Sequence, residues 1–453
     1  MLGAASLVLA ALGSQLSWSA DADDDLDQVR GPLVEFSANG GWCWYQDERV
    51  VVDRSTQTLL VGSVANRDGL RGEQRGGNVD LTAYTADGQV QTTVLHRGLE
   101  NDDHVAPALW VRPDGRYLAM YTKHRTDRLV RYRISRNPHD ARHWRPEQTF
   151  DFDQVAEDGF GVTYSNLIYL STERRLYNFV RADGRSPNIM TSTDLGNTWR
   201  WRGRLTSSRT VGYVNGYFKY FSNGVDRIDV VATEHHPRNF NTSIYHGYIK
   251  AKMLHRSDGT VVDKNIFAGR SVAPHDLTPV WRADPEDGDQ RLTRAWPTDI
   301  ASDASGRPVI TFTARADDVP VDSAGLLDHR FFYATWAAGR WRALQIARAG
   351  AALYEAEGDY TGLAAIDPSR TRRIYISTPV DPRSAEPTEH HEIYRGVTSD
   401  RGRSWQWTAV TWNSASDNLR PVVPVWRGRH AVLWLRGTYT TQHDYDLRVV
   451  GLV

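Results

Sequence analysis

"STDLGNTW", Ser192 to Trp199, is read again in the last quarter of the chain as "TSDRGRSW", Thr398 to Trp405. Both fit S/T-x-D-x-G-x-T/S-W, the Asp-box pattern, in which the Asp and Gly make a tight hairpin turn and the Trp packs beneath it. Two good copies in one chain predict an all-β propeller, built by radial repetition of four-stranded blades. At roughly 60 residues per blade, a domain of roughly 420 residues holds about seven blades, within the range of four to eight.

The rest of the chain agrees with that expectation. "YLAMYT", "RLYNFV", "RIDVVAT", "RPVITFTA", "RRIYIS" and "HAVLWLRG" are short runs of aliphatic, aromatic and β-branched residues, the signature of strands. Turn signals punctuate them at Asp87-Gly88, Asp114-Gly115, Asp183-Gly184, Asn223-Gly224, Asp258-Gly259 and Ser305-Gly306. No long window has the i, i+3, i+4 apolar spacing of a helix. No Ser/Pro-rich linker divides the chain, so one propeller is expected over 23–453. Residues 1–22 read as a secretion signal: an apolar run from Leu2 to Leu12, too short to span a bilayer, then the small-residue pattern Ala20-Asp21-Ala22.

Composition narrows the function. The 54 basic and 55 acidic residues nearly cancel, which argues against nucleic acid and anionic membrane as partners. One cysteine, Cys43, excludes an internal disulfide framework and any multi-thiolate metal site. The 16 Trp and 20 Tyr suit a β core and also suit carbohydrate clefts, since each ring offers a flat apolar face beside a polar handle. The Asp-box itself occurs in hydrolases, lyases and lectins, so it speaks to fold and not to chemistry.

Propellers bind ligands at one end of the central channel, and polar residues at corresponding strand ends are the ones to find. His104 and His124 bracket one hairpin, Tyr164 and Arg181 the next, and Tyr217 and His235-His236 a third. A lone His or Tyr at a strand end is more often a structural hydrogen-bonding group, and His246, alternating within "SIYHGYI", reads as core. As a set, imidazole, phenol and guanidinium fit β-elimination from a uronate. A cation on the carboxylate offsets the charge of the enolate-like intermediate. A His or Tyr removes the proton alpha to that carboxylate, and another protonates the leaving glycosidic oxygen. A glycoside hydrolase needs paired carboxylates instead, for which Asp102-Asp103 is the available candidate. Clustered histidines also suit a metal. His235, His236 and His246, or His390, His391 and Glu392, would be donors to zinc, and loop carboxylates to calcium.

The segments "DDHVAPALWVRPDGRYLAMYTKH", "TYSNLIYLS", "NGYFKYFSNGVDRI", "HHPRNFNTSIYHGYIKA", "EGDYTGLAAIDP" and "DNLRPVVPVW", in that order, resemble the BNR-repeat polysaccharide lyases, seven-bladed propellers that include ulvan lyases and related rhamnose–glucuronate lyases. The resemblance implies that His104 and Tyr217 are catalytic, that Arg181 neutralises the uronate carboxylate, and that His124 and Tyr164 complete the substrate pocket. His236 falls near a histidine that holds a structural zinc in some members, where cysteines absent from this chain share the metal. Lys123, Arg125 and Arg238 are candidates for sulfate and carboxylate groups around the cleft. The expectation is a secreted, monomeric lyase of an acidic, ulvan-like polysaccharide that requires no cofactor for its chemistry. A structural divalent cation is the one metal role foreseen. A sialidase-like hydrolase and a non-catalytic carbohydrate-binding propeller are the rivals.

Overall fold

The six apolar runs occupy one recurring place, the strand next to the innermost one of a blade. In the computed structural model, which describes residues 26–453 apart from 48, 157, 208–213, 270–271, 285, 288–289, 321–326 and 427, they are Tyr117–Thr122, Arg175–Arg181, Arg227–Ala232, Pro308–Pro320, Arg373–Val380 and Val432–Tyr439. A second strand is covered by the neighbouring blade on each face. Both alternating sets of side chains are therefore apolar, and the run reads as continuous rather than alternating. The expected leader, 1–22, lies outside the described residues.

Seven antiparallel blades form the ring. Their innermost strands are, in order, Val50–Asp53, Ala108–Val111, Leu167–Leu170, Phe218–Ser222, Gln290–Ser302, Ala364–Ile366 and Asp417–Val422. The seventh blade takes its outermost strand from the other end of the chain, where Val34–Ser37 pairs antiparallel with Tyr445–Leu452. Closure by this early strand protects what would otherwise be an open edge on Tyr445–Leu452.

The two repeated octapeptides fold as one motif in the third and sixth blades. Ser192 Oγ donates to Asp194 Oδ1 (2.7 Å) and Thr398 Oγ1 to Asp400 Oδ1 (2.9 Å). The Gly196 and Gly402 amides donate back to those same hydroxyls at 2.8 and 2.9 Å. Both glycines sit at φ 87°, which only glycine adopts without strain. Trp199 packs with Leu118, Tyr132 and Met190 between the second and third blades. Trp405 sets its ring edge-on to Tyr333, 5.0 Å between centroids.

The central channel is not open. Trp42–Asp47 leaves the ring and crosses it, reaching residues of five other blades. The Cys43 amide donates to the Asp103 carbonyl (3.0 Å) and the Asp47 amide to Asn166 Oδ1 (3.0 Å). The Tyr45 hydroxyl donates to the Pro297 carbonyl (3.2 Å). Three successive carbonyls of this plug each accept from a cation: Trp42 from Arg420 (2.6 Å), Cys43 from Arg49, and Trp44 from Lys219 (2.6 Å). A backbone without a sheet partner needs such donors when buried.

Candidate active site

Each of the second, third and fourth blades delivers its polar residues in the same way. One lies just before the innermost strand and one at or beyond the end of the second strand, so antiparallel pairing sets them side by side. Thr163 and Arg181 exchange backbone hydrogen bonds at 2.9 Å in each direction, and the Thr233 amide donates to the Tyr217 carbonyl at 3.0 Å. His104, Tyr164, Arg181, Tyr217 and His236 are all buried, and His124 is nearly so.

The two histidines at the ends of the first hairpin stack, with ring centroids 3.7 Å apart and planes 11° from parallel. Asp102 holds both. His104 Nδ1 lies 2.7 Å from Asp102 Oδ1, and His124 Nδ1 lies 2.7 Å from Asp102 Oδ2. Asp102 also caps the short helical turn Asp103–Val105, accepting from the His104 amide. Asp103 Oδ1 approaches His104 Nδ1 at 2.8 Å, while its Oδ2 accepts from Arg420 (2.7 Å) and the Tyr439 hydroxyl (3.0 Å).

Charge is divided unequally over this stack. Burial is the largest influence on His104 and opposes its charge, yet Cys43, Asp102 and Asp103 outweigh it and raise His104 well above the ordinary imidazole value. His124 is lowered to about 4, first by burial and then by repulsion from His104. Burial would raise Asp102, but the two histidines hold it well below the usual carboxylate range. At neutral pH His104 is the imidazolium and His124 the neutral ring.

Tyr164 continues the stack, 5.4 Å from His104 between centroids. It is a non-glycine residue at φ 71°, a conformation that marks a site held by its surroundings. Arg181 lies over the Tyr164 ring at 4.7 Å, and its Nη1 is 3.5 Å from the Tyr217 hydroxyl. Tyr217 is walled by Tyr45 (4.6 Å), Trp296 (4.9 Å) and His236 (4.9 Å). Trp44 and Tyr360 extend this aromatic floor, 3.9 Å apart.

Six further residues enter the site from places that strand-end reasoning did not reach. Asp102 and Asp103, read above only as a hydrolytic pair, anchor the histidines. Arg420 comes from the seventh blade, Trp44 and Tyr45 from the plug, and Glu357 from the loop before the sixth blade. Glu357 pairs with Arg238, and its Oε2 lies 3.9 Å from His236 Nε2. Burial pushes Glu357 up to about 7, with Arg238 pulling against it. His236 is lowered to about 2 by burial and then by Arg238 and Arg181.

The other expectations divide. Arg238 joins the site through Glu357. Lys123 turns instead to Asp127 (3.9 Å), and the Arg125 guanidinium lies over Phe160 (5.4 Å). His246 is a core residue, its ring nitrogens 2.8 Å from Ser257 and 3.2 Å from Asp229. Among the described residues, two sets bring metal-donor atoms together: Cys43 with Asp103 and His104, and Asp102 with His104 and His124. His236 belongs to neither. Its Nδ1 accepts the Arg238 amide, and Glu357 Oε2 lies 3.9 Å from its Nε2. His390 and His391 both face Asp417 (3.4 Å each), and Glu392 accepts from Thr411 and Ser414.

A family model described as "BNR repeat-containing family member" matches residues 72–349, more than half of the chain. No curated protein matches it in sequence. Among solved structures, the chain is similar to one described as a new family of polysaccharide lyase, an ulvan lyase. The TM-score is 0.63 at 12% identity, covering 92% of this chain and 95% of that one. A structure of the same description bound to -[GlcA(1-4)Rha3S]- gives the same values. The polysaccharide lyase Uly1 follows at TM-score 0.55 and 10% identity, covering 94% and 99%. At these identities the likeness is one of fold.

Proposed function

The chain belongs to the BNR repeat-containing family, and on that footing we propose that it is a secreted polysaccharide lyase cleaving an acidic, ulvan-like polymer at its uronate by β-elimination. One observation carries the reading: Arg181 stands beside the Tyr217 hydroxyl, in one buried cluster with the His104–His124 stack. Cation, phenol and imidazole are what a uronate elimination needs in one place. The ulvan lyase structure that holds a glucuronate–rhamnose 3-sulfate unit supports the choice of polymer.

In the proposed reaction Arg181 pairs with the uronate carboxylate and offsets the charge that builds as the alpha proton leaves. Tyr217, acting as the phenolate that the facing Arg181 guanidinium stabilises, is the base and takes the alpha proton, and His104 is the acid. The electrons of the broken C–H bond form the new double bond, the C–O bond beta to the carboxylate breaks, and the leaving oxygen takes its proton from the His104 imidazolium. Asp102 and Asp103, both on Nδ1, stabilise the imidazolium whose Nε2 proton is given up, and His124 keeps the ring in place by stacking. No step draws on a cofactor.

Hydrolysis by Asp102 and Asp103 is the weaker reading, because both carboxylates are fully buried and engaged by His104, His124 and Arg420. The test is ultraviolet absorbance while the protein acts on ulvan, gum arabic and a sulfate-free glucuronan. A rise on ulvan that disappears in His104→Ala and Tyr217→Phe is the expected result. New reducing ends without absorbance would make it a hydrolase. Binding without either would make it a carbohydrate-binding propeller.

A further inference from the structure

The pair Arg238–Glu357 joins two unlike partners across the edge of the site. The Arg238 side chain is 39% exposed, while Glu357 is buried and comes from the loop between the fifth and sixth blades. That loop is fixed in place: the Leu353 amide donates to the Tyr360 carbonyl at 2.7 Å, and the Tyr360 amide to the Glu357 carbonyl at 3.0 Å. One Glu357 oxygen is engaged by Arg238. The other is buried and accepts no hydrogen bond from the described residues. A buried carboxylate oxygen left unsatisfied is costly, and Asp359 adds like charge against the pull of Arg238 and His104. Such a group contributes little to stability, which calls for another reason for its position.

We infer that Glu357 is a built-in competitor for Arg238, occupying on that guanidinium the place that an anionic group of the polymer takes when it binds. The inference rests on the ligand being an acidic polysaccharide, as proposed above. Arg238 presents a fork suited to carboxylate or sulfate. Glu357 holds one nitrogen of that fork through Oε1 in the free protein and must give up that contact on binding. The consequence is a weaker hold on polymer than the basic group alone would give, and discrimination against neutral chains, which cannot displace an ion pair.

Affinity gel electrophoresis, performed in a Tyr217→Phe background so that polymer survives, tests this with ulvan and with the same polymer after desulfation. Glu357→Gln is expected to bind ulvan about fivefold more tightly and Arg238→Gln about fivefold more weakly, the scale of a partly exposed ion pair. In the double variant the gain from Glu357→Gln vanishes, because its target is gone. A gain lost on desulfation assigns the anion as sulfate, and a gain kept assigns it as the uronate carboxylate. In the otherwise native protein the change falls on KM rather than kcat. If Glu357→Gln lowers kcat at unchanged affinity, or weakens binding, the inference is overturned and Glu357 belongs to proton transfer or to polymer contact. Should Glu357→Gln fail to fold, an Arg238→Gln protein with unaltered ulvan affinity overturns it alone. Tighter binding by Glu357→Gln where the native protein makes no unsaturated product would sink the lyase reading and leave the competitor standing. Product formation with no gain in binding would do the reverse.

Discussion

At one end of the second blade Asp102 holds His104 and His124. At the other end Asp53, reaching over from the first blade, holds His139 and Tyr117. The lower group is close to ideal in its distances: His139 Nδ1 at 2.6 Å from Asp53 Oδ2, the Tyr117 hydroxyl donating at 2.8 Å, and the Ser55 hydroxyl donating to Oδ1 at 2.6 Å. Yet it pins a turn and joins two blades, and its imidazole is 38% exposed. The upper group differs in what converges on it. A second imidazole shares the carboxylate, a second carboxylate is tied to a buried arginine, and aromatic rings from the plug and two more blades close round it. Residue types do not separate a structural aspartate–histidine pair from a chemical one. Convergence of several blades on one buried charge does.

The largest effect that separates the two ends is on turnover. His104→Ala and Tyr217→Phe are each expected to lower kcat/KM on ulvan by roughly 10³-fold, whereas His139→Ala stays within about twofold, read by absorbance of the unsaturated product. Equal losses would erase the distinction. Next comes Arg181→Gln, with a loss of about 10²-fold in kcat. Arg181→Lys should recover part of it, because charge returns without the planar fork.

Asp102→Asn bears on the uneven charge of the histidine stack. His104 is raised in the folded protein, so the acid is present at low and neutral pH and is lost as pH rises through its folded value. Removing the Asp102 charge lowers that value, so the alkaline limb of the pH–rate profile moves toward neutrality. A loss of about tenfold at mildly alkaline pH is expected. Asp53→Asn should leave the profile where it is; a matching displacement there would mean that the lower pair communicates with the chemistry. Smallest is Tyr117→Phe, expected to cost about 1 kcal/mol in denaturant unfolding with activity retained.

Much of this was written in short-range pattern. The octapeptides fixed the blade type because Asp194 and Asp400 are bound by their own neighbours two and four residues away. His104 and His124 were legible because a hairpin of known length returns its ends to the same place. The leader at 1–22, the secretion it implies and the monomeric state rest on sequence alone. What escaped was long-range. Arg420 meets Asp103 across more than three hundred residues of chain. Glu357 meets Arg238 through a loop without periodicity, and "GWCWYQD" carries no sign that it would leave the ring. Lys123 and Arg125 have local partners that their sequence neighbourhood does not announce, Asp127 for the one and the Phe160 ring for the other.

The plug has a consequence for traffic. With Trp42–Asp47 locked across the axis by Arg420, Arg49 and Lys219, the propeller is a cul-de-sac and not a conduit. Under the proposed function, a polymer strand would not be reeled through it but would arrive sideways, settle over the rim, and depart by the way it came. The number of cuts per landing would then depend on how long the strand lingers on that surface, so the grip of the rim, not the bore of a tunnel, would set the length of the fragments.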